Sequence, residues 1–127
     1  MTKKPIGIIE GKLHPCLNVP NCVSTQSYEE RSKMDPIKYF GSLEEAKFKI
    51  LRIINSLKRT KIKIESKNYI HVEFRTALFR FVDDVEFYFD DAEKIIHFRS
   101  TSRLGSNDWG VNRKRMENIT KLFYNKN

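Results

Sequence analysis

Residues Tyr69 to Arg103 read YIHVEFRTALFRFVDDVEFYFDDAEKIIHFRSTSR. Apolar side chains alternate with His, Glu, Arg and Tyr, and successive side chains on a strand point to opposite faces. One face of a sheet is therefore apolar and the other ionisable. The alternation predicts strands over 69–76, 84–90 and 95–102, with a turn at Asp90-Asp91-Ala92-Glu93. A shorter strand around Ile62 and Ile64 precedes them, closed by a turn at Ser66-Lys67-Asn68. Segment 77–83 stays ambiguous. Leu78, Phe81 and Val82 fit a helical turn, whereas Phe79 and Phe81 fit a strand.

Ten side chains share the inward parity: Ile62, Ile64, Ile70, Val72, Phe74, Val85, Phe87, Phe89, Ile96 and Phe98. The other face carries Glu65, His71, Glu73, Arg75, Glu86, Tyr88, His97, Arg99 and Thr101.

Two flanking segments have helical periodicity. Ser42 to Arg59 opens with a capping box, Ser42 and Glu45, and sets Leu43, Ala46, Ile50, Ile53 or Ile54, and Leu57 on one stripe. Glu44 and Glu45 suit the positive end of its dipole, Lys58 and Arg59 the negative end. Asp108 to Tyr124 forms the second, capped by Asp108 or Asn107, with Trp109, Met116, Ile119 and Phe123 inward. The expected fold is α+β. It is a two-layer sandwich of a four-stranded antiparallel meander with both helices on its apolar face, in the order α-β-β-β-β-α. Residues 42–127 form this core. Residues 1–41 hold all four prolines and show no period, so they are expected to be an irregular segment that packs on the body. Val19, Val23 and the prolines would anchor it there.

The chain has 127 residues, 39% of them hydrophobic, and these numbers suit one soluble domain. No apolar run is long enough to span a bilayer. The N-terminal apolar patch is too short for a signal-peptide core, so the chain as written reads as cytoplasmic, or as envelope or periplasmic if a leader has been removed. The net charge is +8, but it is unevenly spread: +2 over 1–40, +5 over 41–68, −2 over 69–103 and +3 over 104–127. The excess lies on the helices, where a solvated face explains it. Nucleic acid is therefore not the expected partner. That role would need Lys47, Arg52, Arg113 and Lys114 to form one patch, and its affinity would be electrostatic and salt-sensitive.

Four constellations bear on chemistry. The ionisable sheet face can bind a polar ligand or run acid–base chemistry, although cross-strand ion pairing explains the same residues. The run from Arg99 to Asp108 leads through Gly105 into a helix N-terminus, where backbone N–H groups attract anions. Asp108 would compete there as a cap. Asp83, Asp84 and Glu86 cluster carboxylates, but Asp83 and Asp84 point to opposite sides of an extended chain, and no EF-hand spacing is present. Cys16 and Cys22 are too few for zinc, even with His14. They are either two thiols or a disulfide, and the latter suits an oxidising compartment. A nucleophilic cysteine would have only His14 as a local base. No metal or cofactor is expected.

Three blocks carry a resemblance. They are Cys16-Leu17-Asn18-Val19-Pro20-Asn21-Cys22-Val23-Ser24; Glu73-Phe74-Arg75-Thr76-Ala77-Leu78-Phe79-Arg80-Phe81-Val82-Asp83-Asp84-Val85-Glu86-Phe87; and Arg99-Ser100-Thr101-Ser102-Arg103 with Gly105, Asp108, Gly110, Asn112-Arg113 and Arg115. In this order they closely resemble the bacterial and plastid family known as domain of unknown function 1499, from about His14 to Leu122. Leu17 departs from the proline that usually continues the family's loop. The resemblance implies no reaction, cofactor or catalytic residue. Many members resemble exported or lipid-anchored envelope proteins, or plastid proteins.

The resulting expectation is a non-enzymatic binding or accessory module. Its ionisable sheet face would take a small anionic ligand or a protein partner. Arg75, Arg99 and Arg103 would meet anionic groups, with Glu73 and Glu86 orienting them. His71, His97 and Tyr88 would add titratable or neutral contacts. The alternative is a hydrolase- or lyase-type enzyme with His71 or His97 as base, oriented by Glu73 or Glu86.

Overall fold

A computed structural model describes residues 4–17, 20–105 and 107–125. Asn18 and Val19 of the cysteine loop, the anchoring role expected of Val19, and Ser106 of the 99–108 turn lie outside these residues.

The element order is β1 (Ile8–Ile9), β2 (Lys12–Leu13), β3 (Cys22–Ser24), β4 (Ile37–Lys38), α1 (Leu43–Ser56), β5 (Thr60–Glu65), β6 (Tyr69–Arg75), β7 (Val82–Asp90), β8 (Ile95–Ser102) and α2 (Val111–Tyr124). The fold is α+β with two helices and an antiparallel sheet. That sheet has six strands rather than four. Its path is β3-β8-β7-β6-β5, and β4 also pairs with β8. The N-terminal segment is thus less irregular than its prolines imply. Cys22, Val23 and Ser24 pair with Thr101, Ser100 and Arg99, and Ile37 pairs with Ile96. These strands are too short for periodicity to reveal, and they blunt what would otherwise be an exposed sheet edge. β1 and β2 form a separate hairpin whose two turn residues, Glu10 and Gly11, both have positive φ (52° and 75°). Such a turn matches the right-handed twist of its strands.

The core joins the inward sheet residues to both helices. Ile70, Val72, Val85, Phe87, Ile96 and Phe98 are fully buried against Ile50 and Ile54 of α1 and Met116 and Ile119 of α2. α1 begins as its capping box dictates: Ser42 Oγ accepts from the Glu45 N–H, and the Glu45 carboxylate accepts from the Ser42 N–H. It ends at Ser56, three residues short of the expected Arg59. Lys58 and Arg59 lie beyond it, and Arg59 has a φ of 60° in the turn to β5.

Three side chains depart from the sequence reading. A bulge between Ile62 and Ile64 breaks the parity of β5, so Ile64 pairs with His71 and Glu65 with Ile70. Ile64 therefore moves to the ionisable face, where it is exposed. Glu65 moves to the helix side and meets Lys47 of α1 at 3.4 Å. One extra residue in a strand inverts every side chain beyond it. The third is Trp109, 83% exposed rather than in the core. α2 starts only at Val111, with Gly110 as its N-cap, and Trp109 lies in the left-handed turn before it (φ 56°). Segment 77–83 is a turn followed by the first residues of β7. Thr76 Oγ1 accepts from the Phe81 N–H and closes it.

Candidate functional site

Cross-strand register arranges the ionisable face in rows. Tyr69, Tyr88 and His97 form one. His71, Glu86 and Arg99 form the next, continued by Ser24 of β3. Glu73, Asp84 and Thr101 form the third, continued by Cys22. Arg75 ends β6, and Arg103 follows β8 with its backbone N–H on Val82 O. Asp84 and Tyr69 belong to this face by the same parity that identifies Glu86 and His71, so alternation alone locates them.

The face is buried. Glu86 is 0% exposed, Arg99 and Asp84 2%, His71 4% and Glu73 6%. Residues 5–15 cover its β7–β8 side. Gly7 donates its N–H to Glu86 Oε2 at 2.7 Å. The Arg99 guanidinium donates to the carbonyls of Pro5 and His14, both at 2.8 Å, and of Pro15 at 3.4 Å. A charge taken out of water needs such compensation.

Within this layer the charges neutralise one another in two groups. Arg103 donates from Nε and Nη2 to Asp84 at 2.7 and 2.8 Å, and from Nη2 to Glu73 at 2.7 Å. His71 Nε2 lies 2.7 Å from Asp84 Oδ1. A carboxylate only accepts, so Nε2 carries the proton, and the buried Nδ1 has no hydrogen-bond partner among the described residues. Burial by itself would raise both carboxyls. The hydrogen bonds and charge of Arg103 outweigh it, with His71 adding at Asp84, and both groups sit below their ordinary range. Arg75 stands aside, 4.0 Å from Glu73 with its side chain 45% exposed.

Glu86 centres the second group. Tyr69 Oη donates to its Oε2 at 2.5 Å, and Arg99 Nε stands 3.2 Å from Oε1. The latter is an ionic contact whose angle does not make a hydrogen bond. Burial, then the Glu86 carboxylate, pushes the Tyr69 phenol up. Tyr88 and His97 stack separately at 6.1 Å, with Thr25 Oγ1 2.8 Å from His97 Nδ1. Burial lowers the His97 imidazole, with Lys12 adding and Asp90 opposing.

Behind the sheet a second polar network ties β8 to α2. Arg115 Nη2 donates to Asp83 at 2.6 Å and its guanidinium stacks over Phe74, 4.8 Å from the ring centre. Asp83 and Asp84 do point to opposite sides, and each is held by an arginine. Asn112 is fully buried; its amide donates to Asn21 O, Ser102 Oγ and Asp108 Oδ2. No periodicity marks Asn112 or Arg115, because a polar residue on a helix reads as solvent-facing. Asp108 Oδ1 and Oδ2 accept the Gly110 and Asn112 N–H groups. Its carboxylate occupies the start of α2 and leaves no anion site there. Among the described residues, no group of three or more His, Cys, Asp or Glu side chains is placed to hold a metal ion.

Cys16 and Cys22 are joined in a disulfide, with Cα atoms 5.6 Å apart. No thiol remains, and the thiol nucleophile is thereby removed. Beside this bridge Lys4, Pro5, His14, Pro15, Leu17, Cys22, Arg99 and Thr101 line a cavity of about 160 Å³. Lys4 Nζ reaches Thr101 Oγ1 and Asn21 Oδ1 only at 3.3 and 3.4 Å. Burial lowers the Lys4 ammonium, and the nearby Arg99 charge lowers it further, against smaller opposing effects of Asp83 and Asp84.

The fold and site together define a small α+β protein with a buried, ion-paired sheet face, a proline-containing cover and a disulfide at the sheet edge. The chain belongs to the family described as Protein of unknown function (DUF1499), whose model matches residues 12–123. A search of curated proteins finds no match. Among the described residues, no helix is long and apolar enough to cross a membrane.

Proposed function

We propose that this protein is a non-catalytic module that binds a small anionic group in the cavity beside the Cys16–Cys22 bridge. The observation that carries the reading is the placement of two cations, Lys4 and Arg99, in one lining of about 160 Å³. Glu86 is the carboxylate that Arg99 contacts, at 3.2 Å. Lys4 has long hydrogen bonds that a ligand oxygen can replace, and charge-assisted bonds are the stronger kind. Arg99 is fixed by backbone carbonyls and contributes charge rather than free donors. Arg103, Glu73, Asp84 and His71 serve as the scaffold that holds the strand end. Arg75, Tyr88 and His97 lie outside the cavity. The disulfide favours an oxidising compartment, in keeping with an envelope or periplasmic setting.

Titration of labelled protein with inorganic phosphate and with acetate tests this. Shifts at Lys4, His14 and Thr101 amides are expected, and Lys4→Gln should abolish them. Shifts spread over the helices instead, or unchanged in Lys4→Gln, refute the site. The hydrolase- or lyase-type alternative rests on His71, whose Nδ1 is buried and unpartnered beside an orienting Asp84. A hydrolytic activity lost in His71→Gln and kept in Lys4→Gln would put that alternative first.

A further inference from the structure

One end of the sheet combines exposed apolar side chains with a concentration of positive charge. Three connections meet there. The β6–β7 hairpin follows Arg75, whose N–H bonds to Arg59 O in the α1–β5 turn. The β8–α2 loop joins the same end, because the Arg103 N–H bonds to Val82 O at the hairpin's base. The tip of the hairpin exposes Leu78 (80%), Phe79 (68%) and Phe81 (42%), with the two phenyl rings stacked at 5.4 Å. The loop beside it exposes Leu104 (44%) and Trp109 (83%). A soluble surface gains nothing by presenting these side chains together, and such patches mark interaction sites.

Charge distinguishes what this end fits. Segments 57–61 and 74–82 carry Lys58, Arg59, Lys61, Arg75 and Arg80, all exposed, while Arg103 at this end is engaged by Glu73 and Asp84. The acids at this end are not free: Glu73, Asp83 and Asp84 are buried and paired with Arg103 or Arg115, and Asp108 is half-buried and bound to the start of α2. The opposite end of the sheet has no such excess: Glu44, Glu45, Glu65, Asp90, Asp91 and Glu93 outnumber Lys47, Lys67 and Lys94 there, and Lys47 and Lys94 are paired with Glu65 and Asp91. We propose that the basic end docks on an anionic lipid surface, with Leu78, Phe79 and Trp109 entering the headgroup region. Arginine stems lie along hydrocarbon while their guanidinium heads reach phosphate. Aromatic rings favour the interface, and basic residues near the surface each add attraction to anionic lipid. A protruding hairpin tip suits a deformable surface, since it offers no groove for a partner's side chain. This surface is separate from the anion cavity and does not depend on it.

Trp109 is the single tryptophan of the chain, so its emission reports on this end alone. The full chain is mixed with vesicles of phosphatidylcholine, and with vesicles holding about one-third phosphatidylglycerol. With the anionic vesicles, co-sedimentation and a blue shift of Trp109 are expected. With phosphatidylcholine alone, binding should be at least about tenfold weaker, and about 0.5 M salt should weaken the anionic case in the same way. The variant Leu78→Ser/Phe79→Ser should lose about tenfold or more. Phe40→Ser, at the acidic end and 95% exposed, should bind as the parent does. These side chains lie outside the core, and an unchanged melting curve verifies folding; Leu78→Ser alone is the second variant. Absence of vesicle binding overturns the proposal. So does equal binding to both lipids, or full binding by the hairpin variants. A concentration-dependent dimer that Leu78→Ser/Phe79→Ser abolishes, without vesicle binding, would assign the end to a second copy of the chain instead.

Discussion

Replacing Arg103 by methionine keeps most of the apolar stem and deletes the cation between two buried carboxylates. Arg103 makes three hydrogen bonds of 2.7–2.8 Å to Glu73 and Asp84, whose side chains are 7% and 2% exposed. Removing one partner of such a buried pair costs about 3–5 kcal/mol, because the remaining charge is left desolvated. Against a typical total of about 5–15 kcal/mol, the loss is severe but need not unfold the protein. Its pH dependence is the sharper test. In the parent, both carboxyls sit below their ordinary values of 4.5 and 3.8, so their stabilising contribution is full above those values. It is lost as pH falls through the folded-state values. In Arg103→Met, burial and the Asp84 charge act on Glu73 against only the charge of Lys63, while Asp84 keeps only His71, so stability falls as pH rises past about 4. Urea unfolding should therefore show the largest gap between parent and variant near neutrality and a much smaller one near pH 3. The variant Glu73→Gln/Asp84→Asn/Arg103→Met, which removes all three charges together, should recover most of the loss. A gap under about 1 kcal/mol at neutral pH, or one of equal size at both pH values, would refute the account of this layer as a desolvated ion network.

Two further outcomes follow from the same geometry. Reducing or replacing the Cys16–Cys22 bridge, a loop with sequence separation 6, should cost about 2 kcal/mol, read as a lower melting temperature with reductant or in Cys16→Ser/Cys22→Ser. An unchanged melting temperature would show that β3 holds this strand without it. His97 has a depressed imidazole, so the unfolded chain takes up its proton first, and stability should fall as pH drops below 6.5. Imidazole NMR should give a His97 midpoint below that of a denatured control, and a midpoint at or above it would contradict the burial argument.

Alternation made β6, β7 and β8 legible because every second side chain in them is either buried in hydrocarbon or charged. It failed at β5, where one bulged residue exchanged Ile64 and Glu65. It was silent on β3 and β4, whose two or three residues are too few for an alternation to repeat. The site was legible as a set of residues but not as an environment. Glu86 and Arg99 look solvent-facing from strand parity, and only residues 5–15, which carry no periodic signal, explain their burial. Trp109 misleads for a related reason. Its size argues for the core, while Gly110 beside it favours the left-handed turn that leaves Trp109 outside. Asn112 and Arg115 have no signature in periodicity at all, yet both stand in the stretch that resembles the family.

The sheet also stores its strand alignment in two different chemistries. On one side Val85, Phe87 and Phe89 lie against aliphatic and aromatic neighbours; on the other Asp84 and Glu86 meet arginines. Sliding β7 by a single position would drive Glu86 among phenyl rings and Phe87 among guanidinium groups. Either face alone would resist that slip; together they penalise it twice, through lost hydrocarbon contact and through stranded charge. A solvated sheet tolerates misalignment on its wet side, whereas β7 has no wet side from Val82 to Phe87, and mispaired intermediates of the chain have correspondingly little to hold them.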